Sequence, residues 1–68
     1  MTYYEVEFWA AGDGKWVPIK ELELVSGRPY VRVDCNERLT LDEAESRFAS
    51  LTVRHPMFSF RVTKVSNF

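Results

Sequence analysis

One stretch of this chain repeats with the period of a helix, and it carries its own start signal. Thr40-Leu41-Asp42-Glu43 has the form of a capping box. In such a box the Thr40 hydroxyl accepts from the Glu43 amide, and the Glu43 carboxylate accepts from the Thr40 amide. Leu41, Ala44, Phe48 and Leu51 follow at helical spacing and make one apolar stripe. Asp42, Glu43 and Glu45 lie where the helix dipole favours negative charge. Glu43 and Arg47 form an i, i+4 pair in the favourable order. His55-Pro56 closes the segment, because the residue before a proline is pushed out of the α region. About 14 residues at this pitch span roughly 21 Å, the length of a six- or seven-residue strand.

The rest of the chain alternates with period two. In Tyr3–Ala10, Tyr4, Val6, Phe8 and Ala10 share one face, and Tyr3, Glu5, Glu7 and Trp9 share the other. Gly12-Asp13-Gly14 offers the positive φ angles of a hairpin turn. A second strand then runs from near Lys15 to Ile19, on an edge or interrupted, because Pro18 has no amide to donate. The apolar phase switches near Lys20-Glu21, from Val17 and Ile19 to Leu22 and Leu24, which predicts a bulge or bend. Ser26-Gly27-Arg28-Pro29 reads as a turn. Val31, Val33 and Cys35 then alternate with Tyr30, Arg32 and Asp34 as a third strand. In the last strand, Met57 to Val65, Phe58, Phe60 and Val62 oppose Met57, Ser59, Arg61, Thr63 and Val65.

The expected fold class is therefore α+β: one domain over residues 1–68, with a three- or four-stranded, mainly antiparallel sheet. The order is β-β-β-α-β, or β-β-α-β if the segment Lys20–Leu39 contributes less. One helix packs on one face, with Phe48 and Leu51 against Tyr4, Val6, Phe8, Phe58 and Phe60. The other sheet face stays open.

With 68 residues, the chain buries only about 60% of its unfolded surface. Cys35 is its one cysteine and His55 its one histidine, so neither a disulfide within the chain nor a Cys/His metal set is available. Cys35 reads as a small apolar residue near a strand end, and a lone cysteine suggests a reducing compartment. No apolar run approaches the ~18 residues of a membrane span, and Met1 leads into a strand rather than a signal peptide. The expectation is a complete cytoplasmic protein that gains stability from a partner. Enzyme chemistry is not expected. The pairs Glu5/Glu7 and Glu21/Glu23 are spaced like catalytic carboxylates but have no pocket to work in, and no nucleophile-base-orienter set assembles. No cofactor is expected.

On the open face, alternation gathers Tyr3, Glu5, Glu7, Trp9, Tyr30, Arg32 and Arg61. Tyrosine, tryptophan and arginine among charges resemble a binding surface, where such residues dominate the energy. The competing reading is cross-strand pairing that stabilises the sheet itself. Trp9 is the expected anchor, with the arginines meeting acids on a partner; Glu5, Glu7, Glu21 and Glu23 instead would mimic phosphates against a basic groove. Residues 1–25 carry five acids and two bases, a balance of -3, and residues 46–68 carry four bases and no acid, +4. That segregation suits steered association. If the first and last strands are neighbours, Glu5 or Glu7 pairs with Arg61 instead. The net charge of -1 argues against nucleic acid held by bulk charge. Tyr3, Trp9, Tyr30 and Arg61 as a stacking platform for a single strand is the minority reading.

Phe8-Trp9-Ala10, Val17-Pro18-Ile19, Thr40-Leu41-Asp42-Glu43-Ala44 and Phe60-x-Val62-Thr63-Lys64-Val65 occur in the order found in a known family. In these patches the chain resembles the small host RNA-polymerase inhibitors of T7-like phages, with Lys20–Leu39 as an insertion. The resemblance implies a non-enzymatic phage-type protein that docks on a host protein in the host cytoplasm and blocks it. RNA polymerase and anti-phage defence complexes are the candidate targets, and no binding residue is carried over. Self-association, through the open face or the Pro18 edge, is the alternative.

Overall fold

The computed structural model describes residues 2–33 and 38–66. In chain order the elements are β1 (Thr2–Ala10), β2 (Lys15–Pro18), β3 (Glu21–Val25), β4 (Arg28–Arg32), α1 (Leu41–Arg54) and β5 (Phe60–Ser66). They form an α+β fold with two antiparallel sheets, β2-β1-β5 and β3-β4.

β1 is central. It pairs with β5 from Thr2↔Ser66 to Phe8↔Phe60, and with β2 from Glu7↔Pro18 to Ala10↔Lys15. β2 is an edge, as Pro18 requires. In the turn joining the two strands, the Ala10 carbonyl accepts from the amides of Asp13 and Gly14 at 3.0 and 2.8 Å. Gly14, at φ +64°, adopts the left-handed backbone that the return to β2 needs. β2 is too short to cover its side of β1. Beyond it, the Ile19 amide donates to the Val6 carbonyl at 2.9 Å, and the Tyr4 amide donates to the Leu39 carbonyl at 2.9 Å. Three separate segments thus satisfy one edge of β1.

The phase switch near Lys20-Glu21 is the expected bend, at Lys20, and not a bulge; the bend carries the chain from one sheet to the other. Ile19 and Leu22 are both buried, and between them the chain leaves β2 and starts β3. The Lys20 amide closes the base of the new hairpin on the Arg32 carbonyl at 2.9 Å. Leu24, expected to continue the buried face, is exposed because the hairpin runs outward beyond the core. Its turn is the two-residue Ser26-Gly27, with φ of 54° and 78°. Positive φ at both central residues matches the twist of the flanking strands. Arg28 and Pro29 consequently belong to β4, opposite Val25 and Leu24. Of the expected third strand, Val33 lies beyond β4 and is exposed, whereas Asp34 and Cys35 lie outside the described residues.

The capping box forms as the sequence requires. The Thr40 hydroxyl accepts from the Glu43 amide at 3.2 Å, and the Glu43 carboxylate accepts from the Thr40 amide at 2.9 Å. His55 ends the helix in a non-helical conformation, its amide bonded to the Leu51 carbonyl. Ala44 and Leu51 are fully buried in a core with Val6, Phe8, Ile19, Leu22 and Leu39, and Phe48 packs at its margin. The Phe8 ring meets Phe58 edge-on at 5.6 Å and Phe60 at 5.8 Å. Leu41 departs from the expected stripe: it is 43% exposed.

Hydrogen bonds donated by the Thr40 amide and by the Thr40 hydroxyl, with the Arg47 charge adding, hold the Glu43 carboxyl below its ordinary value of 4.5. A carboxyl depressed on folding contributes stability above that ordinary value and loses it as pH falls through the lowered one. Thr40→Ala is expected to cost about 1 kcal/mol at neutral pH. Urea titrations should show the gap from the parent protein narrowing as the solution is acidified below 4.5. A gap independent of pH would show that the cap works without the Glu43 charge.

Candidate interaction surface

The face of the β2-β1-β5 sheet turned away from α1 collects the odd residues of β1, Trp16 and Pro18 of β2, and Arg61, Thr63 and Val65 of β5. Register decides what they do. Glu7 lies opposite Arg61, Glu5 opposite Thr63, and Trp9 opposite Trp16. The Arg61 Nε–H donates to Glu7 Oε1 at 2.7 Å, and the Thr63 hydroxyl donates to the same oxygen at 2.6 Å. The Glu7 side chain is only 14% exposed and that of Arg61 is 47% exposed. The guanidinium then reaches diagonally over β1, 4.2 Å from the centre of the Trp16 ring. Trp16 tilts against Trp9 at 5.4 Å. Trp9, Trp16, Arg61, Glu7 and Thr63 thus form one continuous chain of contacts across three strands.

The expected cross-strand ion pair is therefore present. Glu7 and Arg61 are joined to each other, and the aromatics include the cross-strand pair of the sheet-stabilising reading. Tyr3 lies at the far end of the face under the Arg38 guanidinium, 5.5 Å from its ring centre. Glu5 is half-buried in the middle.

Tyr30 and Arg32 are not on this face, because β4 belongs to the other sheet. Arg32 is exposed and lies opposite Glu21. Tyr30, 61% exposed, faces an apolar groove of about 420 Å³ between the hairpin and the β1–β2 turn. Trp9, Ala10, Val17, Pro29, Val33 and Phe58 line the same groove, with Asp13 at the turn as its acidic group. The fold thus brings Trp9 and Tyr30 together, far apart in sequence and on different sheets. Of eight large apolar side chains exposed among the described residues, Leu24, Val25, Tyr30 and Val33 all lie on or just after the β3–β4 hairpin. Exposed apolar residues concentrated in this way are unusual for a purely solvated hairpin.

Trp16, Thr63 and the apolar hairpin residues were not among the sequence-expected contacts. Trp16 had a readable signal. A four-residue loop after Ala10 sets Ala10 opposite Lys15 and so Trp9 opposite Trp16. The exposed hairpin residues had none, because alternation alone places Leu24 in a core.

Among the described residues, no three of histidine, cysteine, aspartate and glutamate come together to hold a metal ion. Among the same residues, no helix is long and apolar enough to cross a membrane. Comparison with family models, with curated proteins and with solved structures found no match to this chain.

The Arg61–Glu7 pair is tested by a double-mutant cycle on Arg61→Ala and Glu7→Gln, followed by urea unfolding. The coupling expected for a pair with one exposed member is about 0.5–1 kcal/mol. Arg61→Ala should also shift tryptophan emission, since Trp16 loses the cation on its ring face. Strictly additive single variants would show that the pair contributes nothing.

Proposed function

We propose that this chain is a small, non-enzymatic, phage-type protein that binds a host protein and inhibits or modulates it. Transcription and anti-phage defence machinery are the candidate targets. The observation that carries the reading is the groove shared by Trp9 and Tyr30, set beside a hairpin whose apolar side chains are turned to solvent. Aromatic side chains at the mouth of an apolar groove are the usual anchors of a protein interface. The partner that fits is a protein presenting an apolar side chain to the groove and an acid to the exposed Arg32. Trp9 is braced from behind by Trp16, so it meets a partner with little rotamer freedom left to lose.

Protein recognition is favoured over base stacking on Tyr3, Trp9, Tyr30 and Arg61 for a specific reason. Arg61 is held by Glu7, the Tyr3 ring lies under the Arg38 guanidinium, and Tyr30 belongs to the other sheet, so the four do not form one open platform. The phage-type assignment rests on the sequence resemblance, and the binding role rests on the surface.

The test is capture from nuclease-treated bacterial lysate with the tagged protein, repeated with Tyr30→Ala and with Trp9→Ala. Tyr30→Ala removes a mostly exposed side chain and should leave folding intact. Trp9→Ala should lower stability by about 0.5–1.5 kcal/mol through loss of the Trp16 pair. Either substitution should weaken a stoichiometric partner by more than ~2 kcal/mol, roughly 30-fold. A partner retained equally by both folded variants, or no captured partner, would overturn the reading.

A further inference from the structure

The β5 edge differs from the rest of the surface because unpaired backbone lies beside an apolar groove there. The Trp9 amide donates to the Ser59 carbonyl at 3.0 Å, which fixes the phase of the β1–β5 ladder. Arg61, Thr63 and Val65 therefore turn their amides and carbonyls towards β1. Phe60, Val62 and Lys64 turn theirs outward, and among the described residues no strand lies beyond them. Unlike β2, whose four residues end in Pro18, β5 runs seven residues without proline. Long edges of this kind are normally blocked or covered.

Above this edge, α1 and β5 enclose a groove of about 730 Å³ lined by Tyr4, Leu41, Phe48, Phe60 and Val62. It accounts for the exposed Leu41, which points past the sheet edge into the groove rather than into the core. Besides Arg61, which Glu7 holds, two opposite charges line the same groove, Glu45 on the helix and Lys64 on the strand. Neither has an ion-pair partner among the described residues.

We propose that a second copy of this chain occupies the β5 edge. The two β5 strands pair antiparallel about a two-fold axis at Val62, which joins the three-stranded sheets into one of six strands. In that register Lys64 of each copy lies opposite Phe60 of the other, beside the wall that carries Glu45. A two-fold interface is self-complementary, so one acid and one base on the same patch give two ion pairs. The two α1 helices then flank each other and cover Leu41 and Phe48. A lone lysine on an edge ordinarily keeps strands apart; here the acid that neutralises it belongs to the same surface. This interface leaves the Trp9–Tyr30 groove untouched and stands independently of the binding function.

Analytical ultracentrifugation over a wide concentration range tests the inference, with Lys64→Glu, the pair Glu45→Lys with Lys64→Glu, and Lys64→Pro. The parent protein should sediment as a reversible dimer. Lys64→Glu should raise the dissociation constant at least tenfold, and the charge-swapped pair should restore it. Lys64→Pro removes an outward amide that β1 does not use, so the fold should persist, shown by an unchanged circular dichroism spectrum, while the dimer is lost. A protein monomeric at every concentration would overturn the proposal. So would a dimer indifferent to the folded Lys64→Pro variant, or charge swapping without rescue.

Discussion

The three-stranded sheet and the helix that packs on it are registered on β1. Its even residues put Val6 and Phe8 into the core under α1, and its odd residues put Glu7 and Trp9 on the opposite face. One of its edges is paired along its length by β5. The other is completed in turn by β2, by Ile19 and by the backbone of Leu39. The Leu39 contact has a particular consequence. It anchors the chain one residue before the Thr40 cap, so the start of α1 is tied to the sheet by a backbone bond as well as by its apolar stripe. With a chain this short the core is small, and β1 supplies two of its seven buried residues, Val6 and Phe8.

The two faces of that sheet use their side chains differently. The helix-covered face is apolar and non-directional. On the open face Glu7 is largely removed from water, and a carboxylate there must be satisfied by defined partners. Arg61 and Thr63 both donate to one of its oxygens, and Arg61 continues over Trp16. These contacts tie the three strands together across the face. Apart from Trp9, the exposed apolar side chains lie off this face, four of them on or just after the β3–β4 hairpin and Leu41 in the α1–β5 groove. A two-stranded hairpin is marginal by itself, and this one is held at its base by Lys20 on Arg32 and by the buried Leu22. It therefore presents Tyr30 from a fixed root, next to Trp9.

How much was legible follows from how far each rule reaches. The capping box, the end of α1 at His55, both faces of β1 and the edge position of β2 depend on neighbours a few residues away, and all are as the sequence dictates. The Glu7–Arg61 pair was legible as one of two alternatives and needed only the placement of β5 beside β1 to decide it. The switch of phase at Lys20 was visible, but a bulge and a change of sheet leave the same trace in an alternating pattern. Tyr30 and Arg32 were assigned to the open face for that reason, since alternation says which residues share a face and not which sheet the face belongs to.

The sequence by itself determined the local units: one capped helix of 14 residues, a long strand with one apolar side, and turns at Gly14 and Gly27 where the backbone must take positive φ. These follow from steric limits and from hydrogen bonds between near neighbours, so they survive without knowledge of the fold. Tertiary structure alone decided the division into two sheets, the bridge from Leu39 to Tyr4, the diagonal reach of Arg61 to Trp16 and the meeting of Trp9 with Tyr30. Each of these depends on which strands become neighbours. That choice minimises exposed apolar area and unsatisfied backbone over the whole chain at once, and no window of residues contains it.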